Sequence, residues 1–252
     1  MSFFKKPVVE AVHESDSLGG FSVPDTGLYK GVLKRIFGDT YGSGAQYLFL
    51  EIETETAGTQ IHRVLVTNAK GENTYINKNT GEPQVLQGYA LMDSLCLVTA
   101  GVPLSAIEWE EHEMDVKVDG KDVKEVRQVP AALWGQPVLF AVEKVIKNKQ
   151  VKTDDGYVDT NDKQDTAEIT KFFHVESEQT ATEIGHDAPA AFIEKWKGKH
   201  LDENGVGITA DRFKEVKDAP VKGAVPKKPA GALPNKPGLP AAKGLPGLPR
   251  KG

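Results

Sequence analysis

The nine residues Gln46–Thr54 alternate without a break: Leu48, Leu50 and Ile52 fall on one face, and Tyr47, Phe49, Glu51 and Glu53 on the other. Successive side chains of a strand point to opposite sides. The segment therefore predicts a strand with one face in a core and the other presenting rings and carboxylates. A strand also needs partners, and the nearest in sequence are its own neighbours. Residues 28–37 alternate well enough to pair with it across the YGSG turn at 41–44, and Gln60–Thr67 across Ala57-Gly58. Three antiparallel strands are expected.

The period then changes. Asn68 to Pro83 is polar and rich in Gly and Asn, a loop of functional length. Val85 to Ala100 carries Leu86, Tyr89, Ala90, Met92, Leu95, Cys96 and Thr99 at helical spacing, after Pro83 and before Gly101. Residues 112–128 alternate around Asp119-Gly120, a hairpin signal. Leu133–Lys147 and Glu168–Glu176 read as strands separated by an acidic loop, Asp154 to Asp165. Asp187 is placed to cap a short helix with Phe192, Ile193 and Trp196 as its apolar stripe and Gly198 as its end. The expected fold is mainly β with short helices. Five strands with a helix between the third and fourth is the order of an OB-fold barrel, here with an extra hairpin, and other small barrels share that order.

Charge divides the chain. Residues 219–252 hold seven basic side chains, no acid, eight of the 15 prolines and six glycines, whereas residues 1–218 hold 24 basic and 36 acidic side chains. The expected organisation is an N-terminal arm (1–26), one folded domain (27–218) and a basic, flexible tail (219–252) too poor in apolar surface to offset its ordering entropy. Such a tail suits nucleic acid or serves as a solubilising linker, and both readings stand. No apolar run approaches the ~20 residues of a spanning helix. The N-terminus lacks the long apolar region of a secretory signal, and one cysteine, Cys96, excludes an intrachain disulfide. An intracellular protein with no membrane association is expected.

The chemistry of catalysis is sparse. There is no phosphate loop of the GxxxxGK type, GSG at 42–44 is a turn, and the six histidines are scattered. Cys96 lies on an apolar helix face, which suits packing. Asp154, Asp155, Asp159, Asp162 and Asp165 lack the spacing of a calcium loop, and Glu108, Glu110, Glu111 and Glu113 read as a solvated turn. No enzyme, metal or cofactor is expected; the acidic loop as a Mg²⁺ nuclease centre is the weakest reading. Basic and aromatic residues, in contrast, interleave. Lys30, Lys34 and Arg35 lie on the first strand, Tyr47 and Phe49 on the second, Arg63 on the third. Lys70, Tyr75 and Lys78 lie in the long loop, with Lys144, Lys147, Lys171 and Phe172 on the last strands. Cations that track phosphates and rings that stack on bases are the two requirements of single-stranded nucleic acid binding. Rings on a second strand face also pack under helices, and by alternation one of Phe172 and Phe173 is core.

Several strings, GGFSVPDTGLYK (19–30), SGA (43–45), VTNAKGENTY (66–75), LCLVTAGVPL (95–104), EITKFFH (168–174) and AAFIEKW (190–196), resemble the single-stranded DNA-binding proteins of bacteriophages, from about residue 2 to 218. The resemblance implies an OB-fold that binds single-stranded DNA without sequence preference in phage replication, recombination and repair, in the cytoplasm of the infected bacterium. It implies no enzymatic activity. Many such proteins recruit partners through an acidic tip. This chain has no acid after Asp218, so any replication or recombination partner would meet a basic tail. A homo-oligomer fits the same picture. The competing expectation is an OB-type protein-interaction module without DNA affinity, suggested by the acidic body and the proline-rich tail.

Overall fold

The computed structural model describes residues 23–118, 121–153 and 156–217. The expected arm up to residue 22, the Asp119-Gly120 turn, Asp154-Asp155 and the tail 219–252 lie outside the described residues. The chain is mainly β, with a large sheet that is antiparallel apart from one short parallel pairing. β1 (Gly27–Thr40), β2 (Gln46–Thr54) and β3 (Thr59–Leu65) form a meander. A small hairpin of β4 (Thr74–Ile76) and β5 (Pro83–Val85) precedes α1 (Gln87–Ala100), and β6 (Glu110–Val118) pairs with β7 (Lys121–Val129). Two long strands, β8 (Pro137–Thr153) and β9 (Gly156–Phe173), pair along their length. Helices α2 (Ala181–Gly185) and α3 (Phe192–His200) and the two-residue β10 (Ala210–Asp211) complete the chain.

The order across the main sheet is β3-β2-β1-β8-β9, with β7 joining the far end of β1 at Gly38–Gln128 and β10 lying parallel to the middle of β8. β3 and β9 form no ladder with each other among the described residues. Instead α1 packs against both, across the gap between them. The side chains explain the arrangement. Leu33, Ile36, Leu48, Leu50 and Ile52 from the meander meet Met92, Leu95 and Cys96 of α1 and Val138, Phe140, Val142 and Phe172 of β8 and β9 in one core. Burial pushes the Cys96 thiol up to about 12, with nearby Asp93 adding to it, so this cysteine packs and stays protonated. The opposite face of β8 and β9 is also covered: Leu139, Ala141 and Phe173 lie under Ile193 and Trp196 of α3. Burial on both faces accounts for the unbroken apolar run Val138–Val142.

The structure corrects four expectations. The segment 68–83 is only partly loop, since it contains β4 and the start of β5. The acidic segment from Gly156 to Asp165 is strand, continuous with the predicted last strand. It extends past the main core as a two-stranded arm whose buried positions, Asn148 and Thr160, are polar, so no apolar alternation marks it. Leu133 belongs to a short 3-10 turn before Gly135, and β8 begins at Pro137. Asp187 is not a cap, for it takes a left-handed conformation (φ 50°), and α3 starts at Phe192 and runs through Gly198. A capping box on α2 stands nearby instead. Thr180 and Glu183 bond reciprocally, and Glu183 also accepts from the backbone N–H of Ala191 and Phe192 at 2.9 and 2.7 Å.

Gly88, in the first turn of α1, sets how closely the helix lies on β3. A Cβ there would stand 2.0 Å from the Leu65 carbonyl oxygen. We expect Gly88→Ala to force the helix off β3 and lower stability by about 1–3 kcal/mol, read as a lower urea midpoint; an unchanged midpoint would show that the helix position is soft.

Candidate nucleic-acid interface

A bulge between Leu33 and Arg35 shifts the register of β1 against β2. Before it, Tyr29 and Leu33 face the core; after it, Ile36 does, and Arg35, Phe37 and Asp39 share the outer face. On β2 the outer face carries Tyr47, Phe49 and Glu51, as the alternation predicts, and on β3 it carries Ile61 and Arg63. The β6–β7 hairpin folds back over part of this face. Met114, Val116 and Val129 bury Phe37, which is 5% exposed. What remains open is a hollow of about 290 Å³ lined by Arg35, Phe37, Asp39, Tyr47, Phe49, Glu51, Arg63 and Arg127, among others.

Two stacked rings form its floor. Phe37 and Phe49 lie 4.7 Å apart, centroid to centroid, at 17°. Three guanidinium groups surround them: Arg35 and Arg63 at 5.9 and 5.8 Å from the Phe49 centroid, and Arg127 at 5.8 Å from that of Phe37. Arg35 is clamped between Glu51, to which its Nε donates at 2.6 Å, and the Asp115 carbonyl at 2.7 Å, so it ties the hairpin to the sheet. Arg127 is held by Asp39 at 2.7 Å and by Glu125. Arg63 forms no ion pair among the described residues. The Tyr47 hydroxyl donates to Asp39 at 2.7 Å; burial, then that carboxylate, pushes its pKa up to about 12, so the ring stays neutral and fixed. Tyr41, 42% exposed, lies 4.3 Å from the Tyr47 ring.

Of the residues singled out in sequence, Arg35, Tyr47, Phe49 and Arg63 converge here. Lys70 stands at the same end as Tyr41. Its turn is built on Asn68, whose Oδ1 accepts the Lys70 N–H at 2.8 Å, and the Ala69 carbonyl abuts Gly44 of the β1–β2 turn. Lys70 also forms no ion pair among the described residues. Tyr75 and Lys78 lie on the exposed β4–β5 hairpin. The others are elsewhere. Lys34 pairs with Glu53 at 2.6 Å, and Lys30 lines a separate hollow with Glu53 and Glu55. Lys144 is tied to Asp25 at 2.9 Å, Lys147 to Glu168 at 3.4 Å, and Lys171 lies over the Phe192 ring. Phe172 is corrected outright. It is fully buried in the main core, 6.2 Å from Phe140, while Phe173 is buried on the opposite face beneath α3. Both rings are core because both faces of β9 are covered there. Sequence reasoning missed Phe37, Tyr41 and Arg127. Tyr41 was legible as an aromatic flanking a turn; the other two depend on the bulge and on where the hairpin crosses β1.

A second, wider hollow of about 940 Å³ opens at the gap between β3 and β9, lined by His62, Val64, Leu91, Lys147, Gln164 and Glu168 among others. His62 faces inward there with a buried Nε2 that has no hydrogen-bond partner. Among the described residues no three His, Cys, Asp or Glu side chains are grouped to hold a metal ion. No helix among them is long and apolar enough to cross a membrane. No protein-family model matches the chain, and no curated protein matches it.

Burial lowers the His62 pKa from 6.5 to about 4. Between those values the unfolded chain binds a proton that the folded chain does not, so stability falls as pH drops from 6.5 towards 4. Urea midpoints at pH 7 and 4.5 should fall further for the wild type than for His62→Gln; equal falls would show that His62 is not the acid-sensitive group.

Proposed function

We propose that this chain binds single-stranded DNA without sequence preference, on an OB-type barrel of β1, β2, β3, β8 and β9, and protects it in phage DNA replication, recombination and repair. The observation that carries the reading is the Phe37–Phe49 stack ringed by three guanidinium groups on an open sheet face. Bases meet Phe49, Tyr47 and Tyr41 and the guanidinium planes; phosphates meet Arg63 and Lys70, the two cations there with no carboxylate to displace. The strand order and the helix packed across the β3–β9 gap support the OB assignment, and the sequence resemblance supports the biological setting. A protein-interaction module is the second reading, favoured by the exposed Tyr75, Ile76 and Val85 on the β4–β5 hairpin.

Anisotropy of labelled oligo-dT, against a duplex of the same length and at two or more salt concentrations, separates the two. Tight, salt-sensitive binding to the single strand is expected. Arg63→Ala should flatten the log K versus log salt slope by ~0.7, one phosphate contact. Phe49→Leu should weaken binding by ~1–3 kcal/mol, one stacked base. Absent binding, or equal binding to duplex, would leave the interaction module.

A further inference from the structure

A separate hollow of about 390 Å³ lies beyond Tyr47, lined by Gly38, Asp39, Gln46, Tyr47, Tyr89, Leu104, Ser105, Trp109 and Gln128 among others. It shares Asp39 and Tyr47 with the arginine-lined hollow, so Tyr47, fixed by its bond to Asp39, is the wall between them. Trp109 sits between the 3-10 turn at Leu104–Ala106 and β6, pinned by the adjoining buried Ile107, yet is itself 36% exposed. Its six-membered ring reaches Gly38: the point where a Cβ would stand there is 3.6 Å from the indole Cζ3. The indole thus lies within van der Waals reach of β1 at Gly38.

The lining is mostly apolar and, among the described residues, includes no lysine or arginine. It offers no cation to offset a phosphate's charge, and the Asp39 carboxylate lines it. A nucleobase suits it better, since its faces are apolar and its edge is polar. Two polar groups on the rim have capacity to meet that edge: the Ser105 hydroxyl and the Gln46 side-chain amide nitrogen make no hydrogen bond among the described residues. The volume is at the small end for ligand pockets, ~300–1,000 Å³, fitting one base.

We infer that this hollow takes one base of a bound single strand, turned past Tyr47 and held by Trp109, while the neighbouring phosphates stay with Arg63 and Lys70. The inference rests on the single-strand reading above, and it makes one nucleotide register special in an otherwise sequence-tolerant groove. The test scans a single abasic position along a labelled oligo-dT and titrates each oligonucleotide with full-length wild type, W109F, W109A, S105F and R63A. One abasic position should weaken wild-type and W109F binding about tenfold, the loss of one stacked base. That penalty should vanish in W109A, which removes the indole, and in S105F, which fills the hollow. It should persist in R63A on top of a general loss. Penalties at positions stacked on Phe49, Tyr47 or Tyr41 survive in every variant; if no position in the wild type carries a penalty that W109A and S105F both remove, the inference is overturned, while R63A still reports on the groove. Free thymidine monophosphate bound as tightly as the oligonucleotide would also overturn it, as a site for loose nucleotides. Wild type that binds no single strand would overturn both readings.

Discussion

β1 pairs with β2 for most of its length along one edge and divides its other edge between two partners. Its first half joins β8, from Gly27–Val142 to Val32–Pro137, and its far end meets β7 at Gly38. The exchange happens at Leu33, whose backbone bonds both ways with the loop between them: its N–H donates to Gln136 at 3.0 Å, and its carbonyl accepts from Gly135 at 2.8 Å. Gly135 takes a left-handed turn there (φ 77°) that most residues avoid. The bulge in β1 falls at the same place. A bulge bends a strand and re-aims its side chains. Here it keeps Leu33 and Ile36 in the core while bringing Arg35, Phe37 and Asp39 together on the outer face. The core, the docking of the β6–β7 hairpin and the cation-lined hollow all follow from this one irregularity.

The electrostatics of the hollow depend on what is already paired. Arg35 and Arg127 are held by Glu51, Asp39 and Glu125, so their charges are largely spent on fixing the hairpin and the rings in place. A guanidinium held flat over a ring remains a stacking surface even when its charge is compensated. Arg63 and Lys70 are different, because neither is paired with a carboxylate among the described residues, so under the proposed function a phosphate would have none to displace there. The acidic body works against any polyanion at long range, but screening confines that effect to ~8–10 Å at physiological salt.

Parts of this were legible in sequence, and the reason differs from one element to the next. β2 declared itself because one face is buried and the other is not, and its four outward residues were placed correctly. The far half of β9 was silent because it lies beyond the main core, and what covers it, the segment around Lys214 and Val216, is held by the polar side chains of Asn148 and Asn161 and asks for no apolar period. Phe172 and Phe173 look alike, and only the placement of α3 over the second face decides that both are buried. Arg127 reaches Asp39 across 88 positions of chain, a pairing set by where β7 crosses β1. The capping box at Thr180 and Glu183 was written in the sequence as T-x-x-E and passed over in favour of Asp187, whose left-handed backbone has no capping role.

Preference for single strands over duplex follows from the same geometry, granted the proposed function. In a duplex the base faces are already stacked, so the rings and guanidinium planes have nothing to add. Only the phosphates would be on offer, and the hollow has few uncommitted cations to meet them. A body with 36 acids against 24 bases in residues 1–218 then tips the balance against a rigid, densely charged rod. A single strand can bend its backbone towards Arg63 and Lys70 while turning its bases onto Phe49, Tyr47 and Tyr41. The acidic body is thus no obstacle to the proposed role. On the proposed function, stacking and not charge separates single strand from duplex, and the rings, rather than the lysines, would be the determinants of which nucleic acid is held.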